Sequence, residues 1–358
     1  MSIWRWASLL DPIPEHARIT LGEGDTPLIR ARKLGAEWGL NNLFLKLETG
    51  NATGSYKDRF AFTAISDMVA RGKTKCIATS SGNTGAALAA YCAAAGIECR
   101  IAIVEGAPTG KLKQMMAYGA KIARVRNFGT DAAATTDVFE RLERLGRQPD
   151  SAMQVSAFVY SPAGMSGVQT VAFELAEQSQ QPIDHVFCPA GGGGMCVAVA
   201  RGFRQLVEQN QLPKSPAVDC VQPDGNNTIS GPLRDGLEQA QEVACTTQVS
   251  GLQVASVVDG HLAVQECRQS GGTGHLVSDE FVWEVQKRLA RVEGVFSEPA
   301  GAVALAGALK AREEGRLAAD ANVVCMVTGS GFKDDAAVDR INADFECPMV
   351  DPEAIDDW

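Results

Sequence analysis

Short apolar runs alternate with longer alanine-rich or amphipathic segments along most of this chain, and that alternation restricts the fold more than any other feature. "KCIAT" (75–79) precedes "GAALAAYCAAAG" (85–96), which Gly96 closes as a C-cap. "CRIAIV" (99–104), a helix from Lys111 to Tyr118 ended by Gly119, "AKIARVR" (120–126) and a helix capped by Thr130 or Asp131 continue the series. "MQVSAF" (153–158) completes a four-strand unit. Beyond it the spacing predicts a long helix around "GVQTVAFELAEQ" (167–178), strand "DHVFCPA" (184–190), helix 195–209, strand "AVDCVQP" (217–223), helices 278–291 and 301–315, and strand "ANVVCMVTG" (321–329). Such alternation builds parallel-type sheets flanked by helices, an α/β fold. At 358 residues the chain exceeds one ordinary core. The pattern predicts a small α/β domain, 65–160, inserted into a larger one made of 1–64 and 161–358.

Charge and composition narrow the function classes. A net charge of −10 argues against a nucleic-acid partner, because phosphate backbones are held by clustered Lys and Arg. No apolar run approaches the roughly 18 residues of a membrane span, and the start "MSIWRWASLLDPIPEH" lacks the layout of a signal peptide. Ten cysteines are dispersed with no CxxC pair, mostly within apolar runs, which reads as buried reduced thiols and a cytoplasmic chain. The four histidines are far apart and form no zinc spacing, so no metal is expected.

Three glycine-rich loops follow strands, where ligands gather in open α/β sheets. "GGGGM" contains Gly191, Gly192, Gly193, Gly194 and Met195; without Cβ atoms, and opening a helix, it is either an anion cradle or a tight packing turn. Its spacing matches neither nucleotide fingerprint, so a small phosphate ester is favoured over a nucleotide. "SSGNTG" brings Ser80, Ser81, Gly82, Asn83 and Thr84 to another helix start, as a carboxylate pocket or an ordinary N-cap. "TGSG" begins at Thr328. Lys57, in "GSYKDRF", stands at the start of an apolar-periodic helix, where a positive charge is mildly unfavourable against the helix dipole. An amine whose surroundings lower its pKa is a nucleophile toward aldehydes. Asp58 and Arg59 beside it read as an ion pair or cap that fixes the helix start.

An amine, a glycine cradle and a hydroxyl suit the aldehyde, the phosphate and the ring nitrogen of pyridoxal phosphate. In order along the chain, "GEGDTPL" (22–28), "NATGSYKDR" (51–59), "SSGNTG" (80–85), "GGGGM" (191–195), "EPAGAVALAG" (298–307) and "TGSGFKD" (328–334) resemble the motifs of the fold-type II pyridoxal-phosphate enzymes. Threonine synthases provide the best match, followed by threonine and serine dehydratases. The resemblance implies a two-domain tryptophan-synthase-β-like architecture, a homodimer and a small amino-acid substrate. It makes Lys57 the residue that carries the cofactor's aldehyde and Asn83 the partner of its phenolic oxygen. Gly191 to Gly194, with Met195, would hold the phosphate, and Thr328 would face the ring nitrogen. Ser80, Ser81, Gly82 and Thr84 would clasp the substrate carboxylate. The implied reaction is elimination or replacement at the β- or γ-carbon, best read as conversion of O-phospho-L-homoserine to threonine. An ammonia-lyase or β-replacement enzyme is the alternative. Two departures bear on that choice: Gly164 in "SPAGMSGVQT" stands where threonine synthases carry a phosphate-gripping arginine, and four glycines replace a glycine-asparagine loop. Lys111, Lys113 and Arg124 are the candidate substitutes for the arginine.

Overall fold

The computed structural model describes residues 2–107 and 109–357, with the backbone alone at 109–111 and 356–357, and in it two sheets carry the expected alternation. The smaller sheet has the order β5-β4-β3-β6, formed by β3 (Lys75–Thr79), β4 (Glu98–Val104), β5 (Lys121–Val125) and β6 (Ser151–Gln154), all parallel. The larger has the order β1-β2-β10-β7-β8-β9, from β1 (Leu28–Arg30), β2 (Asn42–Leu47), β7 (His185–Pro189), β8 (Ala217–Pro223), β9 (Gly274–Val277) and β10 (Asn322–Val327). Its ladders are parallel except at the edge, where β1 runs antiparallel to β2.

Most helices form where the pattern put them. Asn83–Ala95 ends at Gly96 in the left-handed conformation, and Asp131 caps Ala132–Gly146 by accepting from the Ala134 amide. Helices Asn83–Ala95 and Pro299–Glu313 are rich in alanine and buried nearly all round, which lets neighbouring backbones approach closely.

Three departures have physical causes. The strand β2 escapes the apolar pattern because Lys46, fully buried, interrupts it; its charge is satisfied by Glu174 at 2.5 Å. The helix expected around 167–178 begins earlier and changes character. Pro162–Ser166 leads into a 3-10 turn at Gly167–Gln169 and then Thr170–Gln178. A Cβ on Gly167 would lie 2.2 Å from the Arg59 carbonyl oxygen, so the chain tightens where it crosses helix Asp58–Ala70. The strand expected over 153–158 stops at Gln154, and Ser156 turns into the space between the sheets.

Candidate active site

A cleft of about 980 Å³ opens at the carboxyl ends of β3, β7 and β10, between the two sheets. It is lined by all the sequence-selected residues: Lys57, Ser80 to Thr84, Gly191 to Met195, and Thr328.

Local pairing explains how Lys57 gets there. Ser55 bridges Gly329, the Tyr56 amide donates to the Thr328 carbonyl at 3.0 Å, and the Ser330 amide donates to the Gly54 carbonyl at 2.9 Å. Gly54 has φ +85°, a conformation glycine adopts without strain. These contacts set "GSYK" alongside "TGS", so the lysine and the β10 hydroxyl face one space. The Lys57 Nζ donates to Ser156 Oγ at 2.7 Å and lies 4.5 Å from the Tyr56 ring centroid. Ser156 Oγ in turn lies 2.9 Å from Thr84 Oγ1, tying the amine to the "SSGNTG" loop.

Asp58 and Arg59 fix the helix start, yet each takes partners other than its neighbour. Asp58 accepts from both the amide and the hydroxyl of Thr53, and burial pushes its carboxyl up to about 6. The Arg59 guanidinium is fully buried against Glu48 (2.7 Å) and Glu174 (2.8 Å), with Thr170 and Thr26 completing its donors. Lys46 closes this four-charge cluster behind the start of helix Asp58–Ala70.

Both glycine loops open helices without a side-chain cap. Gly82 is the N-cap of Asn83–Ala95 and Gly193, at φ +90°, that of Gly194–Glu208. The ordinary N-cap reading of "SSGNTG" therefore does not hold: no serine hydroxyl caps the helix, and Ser80 accepts only the Gly82 amide. Both helix starts line the cleft, and uncapped amide donors of this kind suit anions. At Gly193 a Cβ would lie 2.8 Å from Ala263 Cβ, so the cradle admits no larger residue. Met195 lines the cleft wall while its side chain packs in the core.

Four contributors escaped sequence reading. Ser156 lay in a segment read as strand. Glu298, in the "EPAG" motif, accepts from Asn83 Nδ2 at 2.7 Å and sits against Gly329, where a Cβ would meet its carboxylate at 2.1 Å. Asp259 accepts from the Phe158 and Val159 amides and anchors that turn beside the cradle; burial raises its pKa. Lys333 donates to Gln114 Oε1 at 2.6 Å, and burial lowers its pKa. Gln114 also donates to the Thr53 carbonyl at 3.2 Å, so it links the small-sheet side to the lysine-bearing segment.

Gly164 is buried against helix Asp58–Ala70, and a Cβ there would lie 2.6 Å from Phe60 Cε2. This packing has no room for an arginine side chain. Of the substitutes, Arg124 donates to the Ala107 carbonyl at 2.9 Å, Lys113 is exposed, and the Lys111 side chain lies outside the described residues.

An amine in a polar cleft, a cradle closed to any side chain, an amide donor and a buried threonine at the end of β10 fit pyridoxal phosphate as cofactor. The family model for pyridoxal-phosphate dependent enzymes matches residues 19–329, and the chain belongs to that family. It is a pyridoxal-phosphate-dependent lyase of fold type II, similar to threonine synthases. The threonine synthase of Methanocaldococcus jannaschii is 33% identical over 98% of this chain and 85% of its own length. That of Mycobacterium bovis is 34% identical over 94% and 89%. Among solved structures, the processed form of threonine deaminase isoform 2 from Solanum lycopersicum superposes with a TM-score of 0.75 at 22% identity, over 95% of this chain and 92% of that one. A fungal L-serine ammonia-lyase from Rhizomucor miehei gives 0.74 at 23%, over 90% and 99%; at these identities the likeness is one of fold. No helix of the described residues is long and apolar enough to cross a membrane.

Proposed function

We propose that this lyase is a threonine synthase, converting O-phospho-L-homoserine and water to L-threonine and phosphate. The carrying observation is the meeting of Lys57, the two uncapped helix starts and Thr328 in one cleft, in a chain 33% identical to a threonine synthase over 98% of its length. In this reading the start of helix Gly194–Glu208, with Gly191 to Met195, holds the cofactor phosphate. Asn83 donates to the phenolic oxygen, and Thr328 faces the ring nitrogen with a neutral hydroxyl that does not enforce its protonation. Held at Lys57, pyridoxal phosphate would supply an electron sink for the substrate α-carbon. The substrate carboxylate sits on the amides and hydroxyls of Ser80, Ser81, Gly82 and Thr84. The Lys57 amine, steadied by Ser156, would take the proton at the α-carbon and return protons later in the cycle. We read 65–160 as a small mobile domain set in the larger one of 1–64 and 161–358. We assign the protein to the cytoplasm, in keeping with ten free cysteines, and expect a homodimer by family resemblance.

The test is incubation of cofactor-loaded protein with O-phospho-L-homoserine, assaying phosphate and threonine together, with Lys57→Ala as control. Equal amounts of both products, lost in the control, support the proposal; phosphate without threonine refutes it. Gly164 against Phe60 favours a second reading: an ammonia-lyase or β-replacement enzyme for hydroxy- or other β-substituted amino acids. That reading fails if such substrates give no oxo acid, ammonia or replacement product.

A further inference from the structure

The smaller sheet carries a group of side chains that the lyase chemistry does not use. Cys76 on β3 and Cys99 on β4 are partners across the parallel ladder, and both face helix Asn83–Ala95, which supplies Cys92. The three Sγ atoms lie within 4.8 Å of one another. Three sulfurs bound to one pyramidal trivalent centre at about 2.3 Å, the usual metal–thiolate length, would be about 3.5 Å apart, a separation that side-chain rotations supply.

We propose that Cys76, Cys92 and Cys99 form a three-thiolate site for a soft trivalent ion, of which arsenous acid is the accessible form. Thiolates select soft ions, and the burial selects the charge. All three cysteines are buried, sharing a core with the apolar Met68, Ala78, Ile97 and Ile101. Three thiolates with a trivalent centre are neutral; with Zn²⁺ they leave one negative charge in that core, which is costly. The exchange balances without redox change: three S–H and three As–O bonds break, three As–S bonds form, and three waters leave. Access is short, because Cys76 and Cys99 are each second in their strands, Cys92 is in the last turn of its helix, and Cys99 is 6% exposed.

Occupation would bear on the cleft. β3 and helix Asn83–Ala95 are the two limbs joined by the Ser80–Gly82 loop, so one ion clamps both and restricts that loop.

The test titrates holoenzyme, kept reduced without added thiols, with arsenous acid and separately with Zn²⁺. Native mass spectrometry counts bound ions, and X-ray absorption at the arsenic edge reads the ligands. The expected result is one arsenic per chain with three sulfur neighbours, tighter binding of arsenic than of Zn²⁺, and loss of that equivalent in both Cys92→Ala and Cys99→Ala. Cys347→Ala, at an exposed cysteine, should retain it. No bound arsenic, fewer than three sulfurs, preference for Zn²⁺, or retention of the equivalent in Cys92→Ala would overturn the proposal. The wild-type stoichiometry and coordination decide the matter even if a variant fails to fold.

Discussion

Replacing Arg59 with leucine tests what holds the lysine-bearing segment in place. The guanidinium donates to Glu48 through two nitrogens, to Glu174, and to the hydroxyls of Thr170 and Thr26, all in a fully buried site. With Lys46 the cluster holds two positive and two negative groups; Arg59→Leu leaves an unbalanced carboxylate. Breaking a buried pair from one side costs about 3–5 kcal/mol. Glu48 points the same way: burial alone would push it up, and Arg59 together with Lys46 and Thr26 brings it from 4.5 down to about 2. That displacement corresponds to about 3 kcal/mol. The sign follows: the contribution is fully present above pH 4.5 and is lost as the pH falls toward 2. Urea denaturation at neutral pH, followed by circular dichroism, should show Arg59→Leu less stable by about 3–5 kcal/mol at unchanged m-value. The double variant Arg59→Leu, Glu48→Leu leaves the Lys46–Glu174 pair balanced and should recover a substantial part of the loss. A single variant within about 1 kcal/mol of wild type, or a double variant worse than the single, would refute the charge-balance argument.

Ser156→Ala removes the 2.7 Å partner of the Lys57 amine and should lower kcat roughly ten- to hundredfold, the worth of a hydrogen bond to a charged group, while Ser156→Thr retains more activity. An unchanged kcat with a raised KM would count against a role in holding the amine. Gly164→Arg should destabilise the fold in thermal denaturation and gain no phosphohomoserine turnover, because its Cβ meets Phe60 at 2.6 Å. Asp219 raises the pKa of His185, so that their pairing stabilises below pH 6.5 and is lost as the pH rises through the folded-state value. Asp219 itself, which burial pushes up, is brought down to about 2 by His185 and His275; its contribution is present above pH 3.8 and lost toward pH 2. Melting temperature against pH should therefore show a shoulder between these limits that His185→Gln flattens.

What was legible in the sequence were the features of local origin. The Ala-rich helix closed by Gly96, the Asp131 cap and the strand-end glycine loops depend on neighbours within a few residues, and each forms where the pattern put it. β2 was missed because its buried Lys46 is stabilised by Glu174, 128 residues away. The 3-10 turn at Gly167 answers to the Arg59 carbonyl on another helix. The same holds in the cleft. Lys57, Asn83 and Thr328 announce themselves by motif, whereas Ser156 acts through a lysine 99 residues distant. Glu298 had a signal in its position directly before "PAGAVALAG", but its contact with Asn83 spans 215 residues.

The most direct test is to load the protein with pyridoxal phosphate, reduce with borohydride to fix the cofactor to the amine that holds it, and map the labelled peptide. Among the described residues two lysines line the cleft, Lys57 and Lys333. One label per chain on the peptide containing Lys57, and none in Lys57→Ala, is the predicted result. A label on Lys333 or on a lysine outside the cleft would contradict the assignment of the site.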